Sequence, residues 1–473
     1  MNPPPIEPSL QAALDCQRAA FLADINPPAV VRMDRLQRLE RLIERDADHF
    51  ARQIAIDFGC RSKAEITITE ILSVQGALRH ARRHLKAWMK PRRVATGLRY
   101  LPGRCQLRPQ PLGVIGILSP WNYPLLLALS PLVGVLAAGN RALLKPSELT
   151  PAFSEALRAS IADFFEPEEV RVINGDAGVG RQFSALPFDH LIFTGSTAVG
   201  RQVAQAAARN LTPVTLELGG KSPAIIDVSC DLPAIIDRLA WGKLLNAGQT
   251  CIAPDYALVP WSRMEEFVNA FTQAAARLYP AFEANPDYTS IITERHYQRL
   301  TALVEDARAQ GAIVTDLKPA GEPFPSPTRR LAPKILVKVT DSMRVMQEEI
   351  FGPLLPVVGY ESLDEALSFI RRRDHPLALY WFGKNCRNRE KVLSHTLSGA
   401  VTINDTLLHL VQDNLPFGGV GPSGQGHYHG EHGFRQFSKE KPVFIQSRFA
   451  AIRLFHPPYG PHLDRLLRWV KWL

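Results

Sequence analysis

The chain has 473 residues, 46% hydrophobic and 21% charged, a balance ordinary for a globular enzyme of two or three domains and one that excludes intrinsic disorder. The net charge of +9 brings nucleic acid and anionic membranes into consideration, but the basic residues are dispersed and no nucleic-acid partner is expected.

The start, Met1-Asn2-Pro3-Pro4-Pro5, has no basic residue and no apolar h-region, and no run nears the roughly 18 apolar residues of a membrane span. A cytoplasmic enzyme without a transmembrane segment is expected. Residues 10 to 93 read as helices, with Leu36, Leu39, Ile43, Ile68, Ile71 and Leu72 at helical spacings. The densest basic run, Arg79 to Arg93, surrounds Leu78, Leu85, Trp88 and Met89, the pattern of an amphipathic helix with a solvated face. Between Tyr100 and Val228 strands alternate with helical stretches, and a second alternating set runs from Leu232 to about Val420, so the fold class is α/β with parallel sheets covered on both faces.

Leu112 to Leu118 is a buried apolar strand running into Ser119-Pro120-Trp121-Asn122-Tyr123-Pro124, which sets Asn122 on a loop at a strand end. Its amide either donates to an oxyanion or satisfies turn backbone. A second strand, Ala142 to Lys145, is followed by Glu148, and Lys145 and Glu148 can both reach ribose hydroxyls. A third, Asp189 to Phe193, leads through Thr194-Gly195-Ser196-Thr197-Ala198-Val199-Gly200 into an alanine-rich helix. Strand, glycine turn and helix together present backbone N–H groups to a pyrophosphate, although G-x-G-x-x-G is absent.

Glu217 and Cys251 stand thirty-four positions apart, in Leu216-Glu217-Leu218-Gly219-Gly220-Lys221 and Asn246-Ala247-Gly248-Gln249-Thr250-Cys251. A thiolate adds to a carbonyl carbon, and a carboxylate can then activate water to free the acyl group. The alternative is that Cys251 is a small buried hydrophobe. If it is the nucleophile, a low-pKa thiolate that outreacts the other five cysteines is expected. Those five, Cys16, Cys60, Cys105, Cys230 and Cys386, show neither disulfide nor zinc spacing.

These segments resemble the aldehyde dehydrogenase superfamily, as do Glu348-Glu349-Ile350-Phe351-Gly352-Pro353 and Leu415-Pro416-Phe417-Gly418-Gly419, all in family order across roughly residues 10 to 445. Asn404 to His409 and Gly426-His427-Tyr428-His429-Gly430 look like the class 3 branch. Ala253-Pro254-Asp255-Tyr256 and Pro457-Pro458-Tyr459-Gly460 look most like coniferyl aldehyde dehydrogenases.

The resemblance implies a Rossmann-type cofactor domain (1–93 and 112–217), an α/β catalytic domain (218–420), and an oligomerisation arm with a C-terminal tail (94–111 and 421–473), usually in a homodimer. It implies that Cys251 attacks the aldehyde, that Asn122 holds the oxyanion, and that Glu217 activates the deacylating water. Glu349 is expected on the nicotinamide ribose, in preference to Glu348, with Phe351 beside the ring. Lys145 and Glu148 are expected on the adenosine ribose, and Trp121, Gly195, Ser196 and Gly200 around the pyrophosphate. Glu148 favours NAD, and Lys145 leaves NADP possible. The expected substrate is a hydrophobic aromatic, coniferyl-type aldehyde, in a site shaped by Tyr123, Leu126, Asn404 and Leu408. A medium- or long-chain fatty aldehyde is the alternative; a CoA-acylating enzyme or a non-catalytic relative fits less well, because Cys251, Glu217 and Asn122 are all present.

Two further patterns have bland readings. His427, His429 and His432 are expected on a surface loop instead of holding a metal. Ser447 to Leu473, amphipathic with Arg448, Arg453, Arg465, Arg468 and Lys471, is expected to dock on the protein, with peripheral membrane contact as the alternative.

Overall fold

The structure is a computed structural model that describes residues 8–318, 321–322, 326–450, 456–460, 463–464 and 467–468. Its described strands form three sheets. The first has six strands in the order Gly424–Gln425, Val214–Glu217, His190–Thr194, Val114–Leu118, Arg141–Lys145 and Val170–Val172. All neighbours are parallel except Gly424–Gln425. Every residue of the three central strands is buried, as continuous apolar runs in a doubly covered sheet require.

Alternation along these strands divides the side chains between two cores. Ile115, Ile117 and Ile192 join the core of the helices Ala29–Phe58 and Pro124–Ala138, while Val114, Leu118 and Leu191 pack with Leu14, Phe183 and Val203 on the other face.

The second sheet runs Ile313–Asp316, Lys334–Val337, Leu354–Tyr360, Tyr256–Pro260, Pro223–Ile226, Ala378–Phe382 and Ala400–Ile403, parallel apart from its first strand. Sheet membership thus changes between Glu217 and Pro223. The third sheet is antiparallel, with Arg92–Val94 and Ser438–Ile445 flanking Arg104–Pro111. The segment after residue 421 serves two sheets, since Gly424–Gln425 pairs with Val214–Glu217 and Ser438–Ile445 with Arg104–Pro111.

Leu36, Leu39 and Ile43 are fully buried, but the expected helical register breaks at Thr67–Ile71, where one π turn interrupts the helices Lys63–Ile66 and Leu72–Trp88. The wider turn rotates Ile68 and Leu72 outward, to 59% and 48% exposure, while Ile71 stays buried. In the basic run the helix buries Leu78, Leu85 and Trp88 and exposes Arg79, Arg83 and Lys86. Among the described residues no helix is long and apolar enough to cross a membrane. The expected docking of the tail rests on Ile452, Leu454, Phe455, Leu463, Leu466, Leu467, Val470 and Leu473, of which all but Leu463 and Leu467 lie outside the described residues.

Candidate active site

Cys251 follows a short turn, Leu245–Gly248, in which Asn246 and Ala247 both adopt φ of 52° and Gly248 a φ of 74°. Two consecutive non-glycine residues in the left-handed region cost on the order of 1–3 kcal/mol each, so the surroundings must over-determine them. They do. The Asn246 amide donates to the carbonyls of Asn122 (2.9 Å) and Gln249 (3.2 Å), and Gln249 donates to Asn246 O (3.0 Å) and Ser290 O (3.1 Å). At Gly248 a side chain would collide with the Gly352 carbonyl.

This turn delivers Cys251 to a cavity of about 220 Å³ whose wall also includes Glu217, from the end of its strand. The rest of the lining is almost wholly apolar, with Tyr123, Leu126, Trp241, Leu245, Leu408 and Phe417 prominent. Glu217 is 2% exposed and neither carboxylate oxygen has a hydrogen-bond partner. Burial therefore holds its pKa well above the usual carboxylate range.

The expected low-pKa thiolate is corrected by this geometry. Desolvation, reinforced by the Glu349 and Glu217 carboxylates, pushes the Cys251 thiol up to about 12.

Asn122 is buried beside the same turn, and its amide donates to Gln249 O at 3.1 Å. A side-chain amide carries two N–H groups, so the bond to Gln249 orients Asn122 without using both.

A larger cleft of about 680 Å³ lies on the other side of Thr194, which lines both spaces. It is walled by Trp121, Lys145, Glu148, Gly195, Ser196 and His296 among others. Lys145 is buried and donates to the more exposed Glu148 at 3.0 Å. Ser196 caps the helix Thr197–Ala208, accepting from Val199 N, and the N-terminus of that helix faces the cleft. Gly200 does not line it. A side chain there would meet Leu218 at 2.5 Å, so this glycine seats the helix against the strand end.

Glu349 lies against Gly219, where a side chain would strike its carboxylate, and burial with the charge of Asp255 raises it to about 8. Glu348 turns outward to Arg344 (2.9 Å) and Arg299 (3.4 Å). Phe351, at φ 50°, meets Trp121 edge-on at 5.5 Å.

Two sequence expectations fail on position. Asn404 points away from the cavity and clamps Gly383, accepting from its N–H at 2.8 Å and donating to its carbonyl at 3.1 Å. His429 is no surface-loop residue. Its ring stacks on Phe417 at 5.4 Å, and burial lowers its pKa to about 4. Among the described residues no group of three or more His, Cys, Asp or Glu is placed to hold a metal. Sequence reading missed Thr194 as the shared wall and His296, which meets the Trp121 ring at 5.3 Å. Nothing local in the chain marks either.

Comparison with known proteins agrees with this architecture. The model of the aldehyde dehydrogenase family matches residues 7–443. A protein of Pseudomonas aeruginosa described as a probable coniferyl aldehyde dehydrogenase is 49% identical, over 97% of this chain and 95% of its own length. Aldehyde dehydrogenase family 3 member A2 of Pongo abelii is 40% identical, over 93% and 90%. Among solved structures, the substrate-bound state of Staphylococcus aureus AldH superposes with a TM-score of 0.92 at 36% identity, covering 98% of this chain and 99% of that one. An aldehyde dehydrogenase of Mycobacterium tuberculosis complexed with NAD+ gives 0.82 at 27%, covering 93% and 90%. With a thiol and a buried carboxylate on one cavity and a helix N-terminus on the adjoining cleft, the chain belongs to the aldehyde dehydrogenase family and oxidises an aldehyde to its carboxylic acid.

Proposed function

We propose that the protein is an NAD-dependent dehydrogenase of hydrophobic, aromatic aldehydes of the coniferyl type, acting through Cys251, Glu217 and Asn122. The observation that carries this reading is the cavity in which Cys251 and Glu217 are the reactive groups on a mostly apolar wall. Relatives described as coniferyl or probable coniferyl aldehyde dehydrogenases, at 45% to 49% identity, support the substrate class.

Cys251 releases its thiol proton to solvent as its sulfur adds to the aldehyde carbon, and the oxyanion of the thiohemiacetal accepts from the Asn122 amide and the Cys251 backbone N–H. One such donor contributes about 2.7–4 kcal/mol in comparable sites. The adjoining cleft fits a dinucleotide, because a capped helix N-terminus suits a pyrophosphate and the Lys145–Glu148 pair offers a cation and a carboxylate to ribose hydroxyls. NAD+ supplies the hydride acceptor when bound. Glu148 disfavours a 2'-phosphate, and Lys145 tolerates one. Glu349 and Phe351 are assigned to the nicotinamide end, and Trp121, Gly195 and Ser196 to the pyrophosphate, with Gly200 supporting their helix. Glu217 then takes a proton from the water that hydrolyses the thioester, and burial, which raises its pKa, makes its ionised form a stronger base than an ordinary carboxylate.

The cofactor domain comprises 1–93 and 112–217 and the catalytic domain 218–420. The arm, 94–111 with 421–473, pairs two chains into a cytoplasmic homodimer; its edge strand Ser438–Ile445 leaves Phe444 and Ile445 about half exposed.

The test is a kcat/KM panel of aromatic, cinnamyl and aliphatic aldehydes with NAD+ and with NADP+. Cinnamyl or benzylic aldehydes with NAD+ should lead, with medium-chain aliphatic aldehydes retained, because a methylene in an apolar site separates substrates by only ~1–3 kcal/mol. Glycolaldehyde or betaine aldehyde as the best substrate would reject the assignment.

A further inference from the structure

Beneath the reactive turn lies an ion triad that the chemistry above does not use. The side chains of Arg61 and Glu70 are fully buried and that of Glu65 nearly so. Arg61 Nε donates to Glu65 at 3.1 Å, and its Nη1 pairs with Glu70 at 3.0 Å. The guanidinium also lies over the rings of Tyr123 (4.7 Å) and Phe58 (5.0 Å).

Four further contacts of the triad go to backbone beside the reactive groups. Arg61 Nη1 donates to Asn122 O at 2.9 Å. Glu70 Oε2 accepts from the N–H groups of Leu125 (2.9 Å) and Leu126 (3.1 Å), in the first turn of the helix Pro124–Ala138, whose own N-cap residue Tyr123 offers no side-chain cap. Glu65 Oε2 accepts from Asn246 N at 3.1 Å, the first of the two left-handed residues ahead of Cys251. One rigid group therefore grips both the Asn122 loop and the Cys251 turn.

The π turn explains how two carboxylates reach one arginine. Five residues apart on an α-helix, Glu65 and Glu70 would point about 140° away from each other. The i→i+5 bond from Leu72 N to Thr67 O widens the turn and brings them toward one face. A buried ion group is a poor source of net stability, since desolvation offsets its attraction. What it supplies is a single arrangement of whatever it holds.

We infer that Arg61, Glu65 and Glu70 are positioning residues that fix the Asn122 amide relative to the Cys251 backbone N–H, and so set the oxyanion site in which the thiohemiacetal forms. The inference rests on the proposed role of Asn122.

The test measures the pre-steady-state NADH burst and the primary isotope effect with 1-deuterated aldehyde for Glu65→Gln, Glu70→Gln, Arg61→Lys and Asn122→Ala, with thermal melts, KM for NAD+ and hydrogen–deuterium exchange. In the three triad variants the burst rate should fall tenfold or more, the isotope effect on kcat should rise, and KM for NAD+ should stay within twofold. Exchange should rise together in residues 120–126 and 244–251. Folded triad variants with burst rates within twofold of wild type overturn the inference if Asn122→Ala is slow. An unaffected Asn122→Ala overturns the oxyanion reading itself. Failure of all three triad variants to fold would assign the triad to stability alone and likewise overturn the inference.

Discussion

The two spaces that meet at Thr194 are built in opposite ways. The larger cleft is made of strand ends and a helix N-terminus, so its polar groups are mostly those of contiguous segments such as Thr194-Gly195-Ser196. The smaller cavity is assembled from side chains of well-separated segments, among them Tyr123, Leu126, Glu217, Trp241, Cys251 and Phe417. On the proposed reading, the larger cleft takes the cofactor and the smaller cavity the aldehyde. A substitution in one space should therefore leave the other readable, and that separation can be tested.

The largest effect is expected from Cys251→Ala. Turnover should fall on the order of 10⁵-fold, as when a covalent nucleophile is removed, while NAD+ binding, followed by fluorescence, stays within twofold. Loss of cofactor binding would mean that the two spaces are not separable. Glu217→Gln comes next. One rapid burst of NADH should be followed by a steady rate lowered about 10²–10⁴-fold, the range of general base catalysis. An unchanged steady rate would remove Glu217 from deacylation.

The protonated resting thiol gives a smaller, graded effect. Because the Cys251 pKa is raised to about 12, the thiolate fraction grows as pH rises, and cofactor-free alkylation by iodoacetamide should accelerate about tenfold per pH unit across the neutral range. A plateau beginning below pH 8 would contradict the burial argument. Ser196→Ala should do least. It removes one helix cap, for about 1 kcal/mol, and should raise KM for NAD+ about fivefold with kcat for the aldehyde unchanged. A fall in kcat with constant KM would place the helix in the substrate side instead.

The same contrast explains what could be read from the chain alone. The buried strands, the glycine turn before Thr197 and the motifs around Glu217 and Cys251 were legible because each lies in a short segment whose pattern can be read locally. The π turn was not, because Ile68, Ile71 and Leu72 fit an uninterrupted helix equally well, and only the packing of Glu65 and Glu70 on Arg61 distinguishes the two. Asn404 misled because loop position says nothing of direction, and its amide is spent on Gly383. His429 misled because its glycine neighbours suggest solvent, whereas its ring is stacked on Phe417. The pKa of Cys251 was misjudged for a related reason: burial is the main cause of its rise, with the Glu349 and Glu217 carboxyls adding to it, and no sequence spacing reveals that the thiol is enclosed beside them.

The raised thiol pKa also bears on how the enzyme survives between turnovers. Peroxide and other oxidants attack thiolate, and its first product, a sulfenic acid, can proceed to irreversible sulfinic and sulfonic states. A nucleophile kept almost wholly protonated until substrate chemistry calls on it is a slow target for that damage. Cys16 and Cys386, both exposed, are open to the same oxidants but do not line the cavity of Cys251.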